Sequence, residues 1–174
     1  MAIVQIIKDD DPTLRKTSRE VTEITPRILT LLDDMAETMR HANGVGLAAV
    51  QVGVLRRVVV IECTPGELIE LINPKITSQK GEQRDYEGCL SIPGISVPIA
   101  RPPFARCRYY DLDGQLWEIE GDGLLGRCLQ HETDHLDGVT MFERAEPMAR
   151  LKALEDYERA LAAGARPGDT SVEA

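Results

Sequence analysis

Aromatic residues are scarce: 4% of the 174, with a single Trp and two Phe. Core packing must therefore rest on Leu, Ile, Val and Ala, within a hydrophobic content of 43% that is ordinary for a globular chain. Excess positive charge is absent as well. Twenty Lys and Arg stand against 29 Asp and Glu, a net charge of −9, which argues against a phosphate-binding face and a nucleic-acid partner. No apolar run approaches the roughly 20 residues that span a bilayer, so no membrane association is expected. Met1 to Pro12 reaches its acidic residues early and carries no signal-peptide stretch, which points to a cytoplasmic location. The four cysteines, Cys63, Cys89, Cys107 and Cys128, contain no CxxC pair, against a zinc ribbon or a thioredoxin-type site. In a reducing compartment three of them read as small buried hydrophobes.

Length predicts one domain, placed at residues 1–163, with 164–174 a disordered tail too poor in apolar residues to bury. There is no internal repeat. Thr25-Pro26 is a helix start, and Ile28, Leu31, Leu32, Met35 and Met39 follow at helical spacing until Asn43-Gly44. The middle of the chain is strand-like. Arg57 to Glu62 is β-branched, Leu68 to Ile72 is similar and stops at Asn73-Pro74, and Arg106–Tyr110 and Gln115–Glu120 flank a turn at Asp111 to Gly114. A second helix is expected from Asp122 to Gly138. A third is expected from Pro147 to about Ala163, with Leu151, Leu154, Tyr157 and Leu161 on its buried face. Helix, strands, helix, helix is the order of an α+β fold and not of repeated βαβ units.

The sharpest chemical signal is His131-Glu132-Thr133-Asp134-His135. Histidines four apart on a helix share a face and are able to grip one ion, with the glutamate beside it placed to take a proton from water. The bland alternative is two surface histidines and a glutamate. Chance produces HExxH in on the order of one chain of this length in a few hundred, and His41 is the only other histidine, which reads as a surface residue at a helix end. A catalytic site needs a third protein ligand. The metzincin position holds Met141. Glu155, about 20 residues beyond His135, would suit a thermolysin-like zinc peptidase, although its surroundings read as a solvated helix face. Cys89 is the other candidate. It lies between Gly88 and Pro93-Gly94 in a segment that reads as strained, exposed backbone.

Three blocks carry a family resemblance: Gly44 to Gln51 (GVGLAAVQ), Glu87 to Ser91 (EGCLS) and Gln130 to Gly138 (QHETDHLDG). In order and spacing the chain resembles the peptide deformylases from about Asp11 to about residue 160. The resemblance implies antiparallel strands packed around a central metal-binding HExxH helix, with one helix N-terminal and one C-terminal to them. It implies a hydrolase that removes the N-formyl group from the initiator methionine of new polypeptides and releases formate. Cys89, His131 and His135 would hold one divalent ion, Fe²⁺ in the cell, with Zn²⁺, Ni²⁺ or Co²⁺ able to replace it. Glu132 would be the general base and acid. The Gln51 amide and the Leu90 backbone N–H would donate to the oxyanion. Val45, Gly46, Glu87, Arg127 and Cys128 would line the substrate site. N-formylated nascent chains are the implied partners. Ribosome contact would be weak, because Arg150, Lys152 and Arg159 alternate with Glu155, Asp156 and Glu158.

Several positions depart from that pattern. Val50 stands where proline is frequent, and an extended backbone is expected there. Ile99 takes the place of an arginine that would pair with Glu87, so Arg101 or Arg127 is expected to serve instead. Arg127 replaces an aliphatic pocket residue and is read as a side chain snorkelling at the pocket rim. The competing reading makes the pocket more polar, with Asp85 nearby.

Overall fold

The computed structural model describes residues 2–167. Helix α1 spans Pro26–His41 and opens as expected, with the Thr25 hydroxyl accepting from the Ile28 N–H and proline in the first turn. Five strands follow in one antiparallel sheet of order β1-β2-β3-β6-β7: β1 Gly46–Ala48, β2 Val58–Ile61, β3 Ile69–Lys80, β6 Phe104–Tyr110 and β7 Leu116–Gly121. A separate antiparallel pair consists of β4 Gln83–Cys89 and β5 Ile92–Arg101. Helix α2 is Gly123–Leu136, α3 Met141–Arg144 and α4 Pro147–Ala162. The expected α+β architecture around a central HExxH helix is the observed one.

The same pattern that marks each element also buries it. Leu32, Met35 and Met39 of α1 cover one face of β1 and β2 against Leu47, Val58 and Val60. The other face, through Ala48, Val59, Ile61 and Leu71, receives Cys128, Leu129 and Leu136 of α2. Helix α2 packs on all five strands of the large sheet. Gly126, in its second turn, permits this: a Cβ there would run into the carbonyl oxygens of Pro103 and Gly121. A third apolar cluster joins β5 to α3 and α4.

Four expectations need correction. Asn73-Pro74 does not end the strand. The β3 pairing shifts register there and resumes to Lys80, because Asn73 takes φ +52 and its side-chain amide bonds both backbone groups of Val21 at 2.8 Å. Cys89 is the last residue of a strand, and Pro93-Gly94 lie within β5. Val50 sits in a 3₁₀ turn, Ala49–Val52, and is fully buried. Finally, the buried side of α4 is Ala153 and Tyr157, whereas Leu151 and Leu154 are exposed. Of the expected tail, Gly164 and Ala165 close α4 with hydrogen bonds to the Leu161 and Ala160 carbonyls; residues 168–174 lie outside the described ones.

Candidate metal centre and substrate cleft

Two elements bring the ligands together. His131 and His135 lie one turn apart on α2, and Cys89 arrives at the end of β4, where the β4–β5 register shifts. The Cys89 Sγ is 3.4 Å from His135 Nε2, which is 3.3 Å from His131 Nε2. Two nitrogens bound tetrahedrally to an ion at about 2.0–2.1 Å lie roughly 3.4 Å apart, so the donors are spaced for one metal. Among the described residues, these three form the one His, Cys, Asp and Glu group whose ligand atoms lie within 4.8 Å of one another. Glu155 is exposed on α4 and is not part of that group, which removes the thermolysin-like ligand set.

Charge around the two histidines is uneven. The His131 Nδ1–H donates to Glu87 Oε1 at 2.9 Å, leaving Nε2 free to face His135 as a candidate ligand atom. Burial opposes a charged His131, yet the carboxylates of Glu132 and Glu87, with the Cys89 sulfur, raise its proton affinity well above the ordinary value. His135 is pushed the other way, by burial and by His131, and stays neutral as a ligand must. Its Nδ1 has no hydrogen-bond partner.

Glu132 has the environment of a general base. It is buried, its Oε1 accepts no hydrogen bond from the protein, and burial pushes its pKa up to about 7 against the lowering effect of His131. Gly46 makes room for it: a Cβ there would lie 2.5 Å from Glu132 Oε2. Gly44 similarly makes room for Leu90. Gln51 is buried and fixed at both ends of its amide. Its Oε1 accepts from the Ala48 N–H at 3.0 Å, and its Nε2 donates to Ser91 Oγ at 3.1 Å while facing Cys89 Sγ at 3.5 Å. The sequence reading gave Ser91 no role, although it stands in the same five-residue block as Cys89. An extended N-terminal segment holds both sides of this arrangement, since the Ile7 N–H donates to the Gln51 carbonyl and the Asp9 N–H to that of Ser91.

Glu87 has both arginines. Arg101 donates to its two oxygens at 2.6 and 3.1 Å, and Arg127 Nη1 to Oε2 at 2.7 Å. Arg101 also reaches Asp134 at 2.8 Å, and Arg144 of α3 holds that same carboxylate. The snorkelling reading of Arg127 fails. Its guanidinium is buried and also bonds the Ile99 and Gln83 carbonyls. Asp85 bonds the Tyr86 N–H beside it.

These residues line a cleft of about 350 Å³, into which Val45, Gly46, Gln51, Glu87, Cys89, Leu90, Arg127, Cys128, His131 and Glu132 all project surface. Tyr86 and Leu124 stand exposed at its edge; neither was singled out from the sequence, because exposed apolar residues carry no periodic signal. Two wider hollows, of about 1030 and 1170 Å³, contain none of the three ligands.

Comparison with known proteins agrees with this geometry. A family model described as polypeptide deformylase matches residues 3–151. A peptide deformylase of Agathobacter rectalis is 51% identical over 158 residues, covering 91% of this chain and 99% of the relative. That of Caldanaerobacter subterraneus is 54% identical over 144 residues, covering 83% and 90%. Among solved structures, a peptide deformylase from Legionella pneumophila superposes with TM-score 0.85 at 38% identity, over 92% of this chain and 98% of that one. The Ehrlichia chaffeensis enzyme in complex with actinonin gives 0.86 at 37%, over 91% and 98%.

Proposed function

Because the chain belongs to the polypeptide deformylase family, we propose that its cleft removes the N-formyl group of new polypeptides with Glu132 as proton carrier and Gln51 and Leu90 as oxyanion donors. The observation that carries this is Glu132: a buried carboxylate with an unpartnered oxygen beside the Cys89, His131 and His135 cluster.

The reaction turns a formamide and water into an amine and formate. A divalent ion bound to Cys89, His131 and His135 supplies Lewis-acid polarisation and makes water acidic enough to ionise near neutral pH. Glu132 takes the proton of the attacking water and returns it to the departing amine nitrogen, which leaves protonated. A carboxylate poised near 7 suits both halves of that transfer. As the formyl carbon becomes tetrahedral, its oxygen gains negative charge. The Gln51 amide, anchored by the Ala48 N–H at its Oε1 and by Ser91 at its Nε2, and the Leu90 N–H donate to it; losing one such donor typically costs about 2.7–4 kcal/mol. Val45, Gly46, Arg127 and Cys128 flank the bound chain end. Glu87 acts through His131, fixing its tautomer and orientation.

Fe²⁺ is the proposed cellular metal, with Zn²⁺, Ni²⁺ and Co²⁺ as replacements; zinc outranks ferrous iron in the affinity series, so purified protein is expected to collect it. The substrates are formylated nascent chains met in the cytoplasm. Ribosome contact is weak, given the mixed charges of α4.

The test is formate release from a formyl-Met-Ala-Ser peptide by anaerobically Fe²⁺-loaded protein. We expect a fall of about 10²–10⁴-fold in Glu132→Gln with metal content unchanged, and loss of both metal and activity in Cys89→Ala. Turnover surviving in Glu132→Gln would overturn the assignment.

A further inference from the structure

Two of the hollows meet. Asn43, in the turn after α1, and Gly94, within β5, line both the substrate cleft of about 350 Å³ and the neighbouring hollow of about 1170 Å³. Three stretches of chain enclose the larger space: the N-terminal segment with Ile3, Gln5 and Lys8, the end of α1 with Thr38 and His41, and the turn after α4 with Arg166. The Thr38 hydroxyl accepts from the Val4 N–H at 2.9 Å and fixes the first stretch to the second. Gly94 brings β5 close to the third, since a Cβ there would lie 3.8 Å from that of Ala160.

Charge sets this hollow apart from the rest of the molecule. The chain carries −9 overall, yet the described residues that line the hollow include Lys8, His41 and Arg166 and neither Asp nor Glu. All three side chains are exposed. No ion pair to Lys8 or His41 is found among the described residues. Resting on the deformylase reading of the cleft, we propose that this hollow is a second binding site for the same formylated chain, taking an acidic stretch several residues beyond its methionine.

Continuity names the occupant. The cleft is small, and an extended chain advances about 3.3–3.6 Å per residue, so a polypeptide leaving it past Asn43 and Gly94 enters the larger space. The N–H groups of Ile3 and Gln5 donate to no described residue, and an extended peptide laid beside them brings carbonyls to meet them. Carboxylates on that peptide meet the basic side chains. An exposed ion pair strengthens binding by no more than about fivefold. The field of the whole protein repels an acidic peptide, so attraction to one is the mark of a local site and not of net charge.

The experiment measures kcat/KM of the Fe²⁺-loaded full chain on formyl-Met-Ala-Ser and on longer peptides that begin the same way and continue with a run of Glu, Ser or Lys. We expect the Glu peptide to exceed the Ser peptide by about three- to tenfold, mainly through KM, and the Lys peptide to fall below both. High salt removes the order. In Lys8→Ser combined with Arg166→Ser the Glu and Ser peptides converge. Lys75→Ser combined with Arg108→Ser, an equal change of charge in the other wide hollow, keeps them apart. Equal kcat/KM for the three long peptides, a preference for Lys, or convergence in both double variants would overturn the site. A preference missing from the full chain and gained on removal of residues 168–174 would give the hollow to the chain's own Asp169 and Glu173, and would overturn it as well. No formate from formyl-Met-Ala-Ser overturns the reaction and this site with it, whereas a normal rate there without the acidic advantage overturns the site alone.

Discussion

Glu87 is the residue whose chemistry reaches furthest. Burial by itself would raise its carboxyl, but the hydrogen bond and charge of His131, then those of Arg101, outweigh it and hold the group well below its ordinary 4.5. A depressed folded value means that ionised Glu87 stabilises the fold. That contribution is complete above about pH 4.5 and is lost as pH falls through the folded value. Urea midpoints measured from pH 7 downward are expected to drop more steeply in wild type than in Glu87→Gln below that point. Parallel curves would mean the carboxylate contributes no pH-dependent stability. Arg127 gives a second prediction. With its guanidinium spent on Glu87 and two carbonyls, the cleft meets the arginine stem and not its charge. A formyl-Met peptide should therefore keep its advantage in kcat/KM over a peptide with a polar first residue. Arg127→Leu is expected to lose about 2–3 kcal/mol of stability with little change in that ratio, and a polar peptide that matched formyl-Met would overturn the argument.

At the scale of elements, α4 shows how packing overrides an apparent stripe. Leu151 and Leu154 read as core because they recur at helical spacing, yet the β5 surface accepts the smaller Ala153 beside Tyr157, and both leucines face outward. Thermal melts should show Leu151→Gln within about 0.5 kcal/mol of wild type and Tyr157→Ala weaker by about 3–5 kcal/mol; the reverse order would restore the original face. The same limit explains what else the sequence concealed. Helix α1, β2, the β6–β7 turn and α2 were legible because caps, turn residues and apolar period agree locally. The β4–β5 pair was not, since Glu87 and Arg101 are polar residues buried through ion pairs with each other and with residues of α2, pairings that no local pattern announces. The two histidines of the cluster were readable from motif and spacing, whereas Cys89 came only with the three-block resemblance. The clamp behind it, Arg101 on Glu87 and Asp134 with Arg144 beyond, depends on side chains that the fold alone brings together.

For the molecule as a whole, Cys89 comes from the two-stranded sheet and both histidines from the helix that lies on the five-stranded one, so an ion held by these three would require both parts to be assembled. Anything that binds the folded form alone stabilises it, by about 4.1 kcal/mol at a thousand times Kd. Chelation is therefore expected to lower the thermal midpoint, and restored divalent metal to raise it again; an unchanged midpoint would show that the three ligands do not hold the ion. In protein prepared without oxygen, iron at full activity is the expected content, and zinc alone at full activity would overturn the iron proposal. Gln51 and Ser91, hydrogen-bonded to each other beside Cys89, are each fastened to the N-terminal segment, through Ile7 and Asp9. That segment is a clasp laid across the pair. For anyone engineering the chain, the consequence is practical: a fusion partner belongs at the far end, because strain on the leading residues is delivered to Gln51 and Ser91.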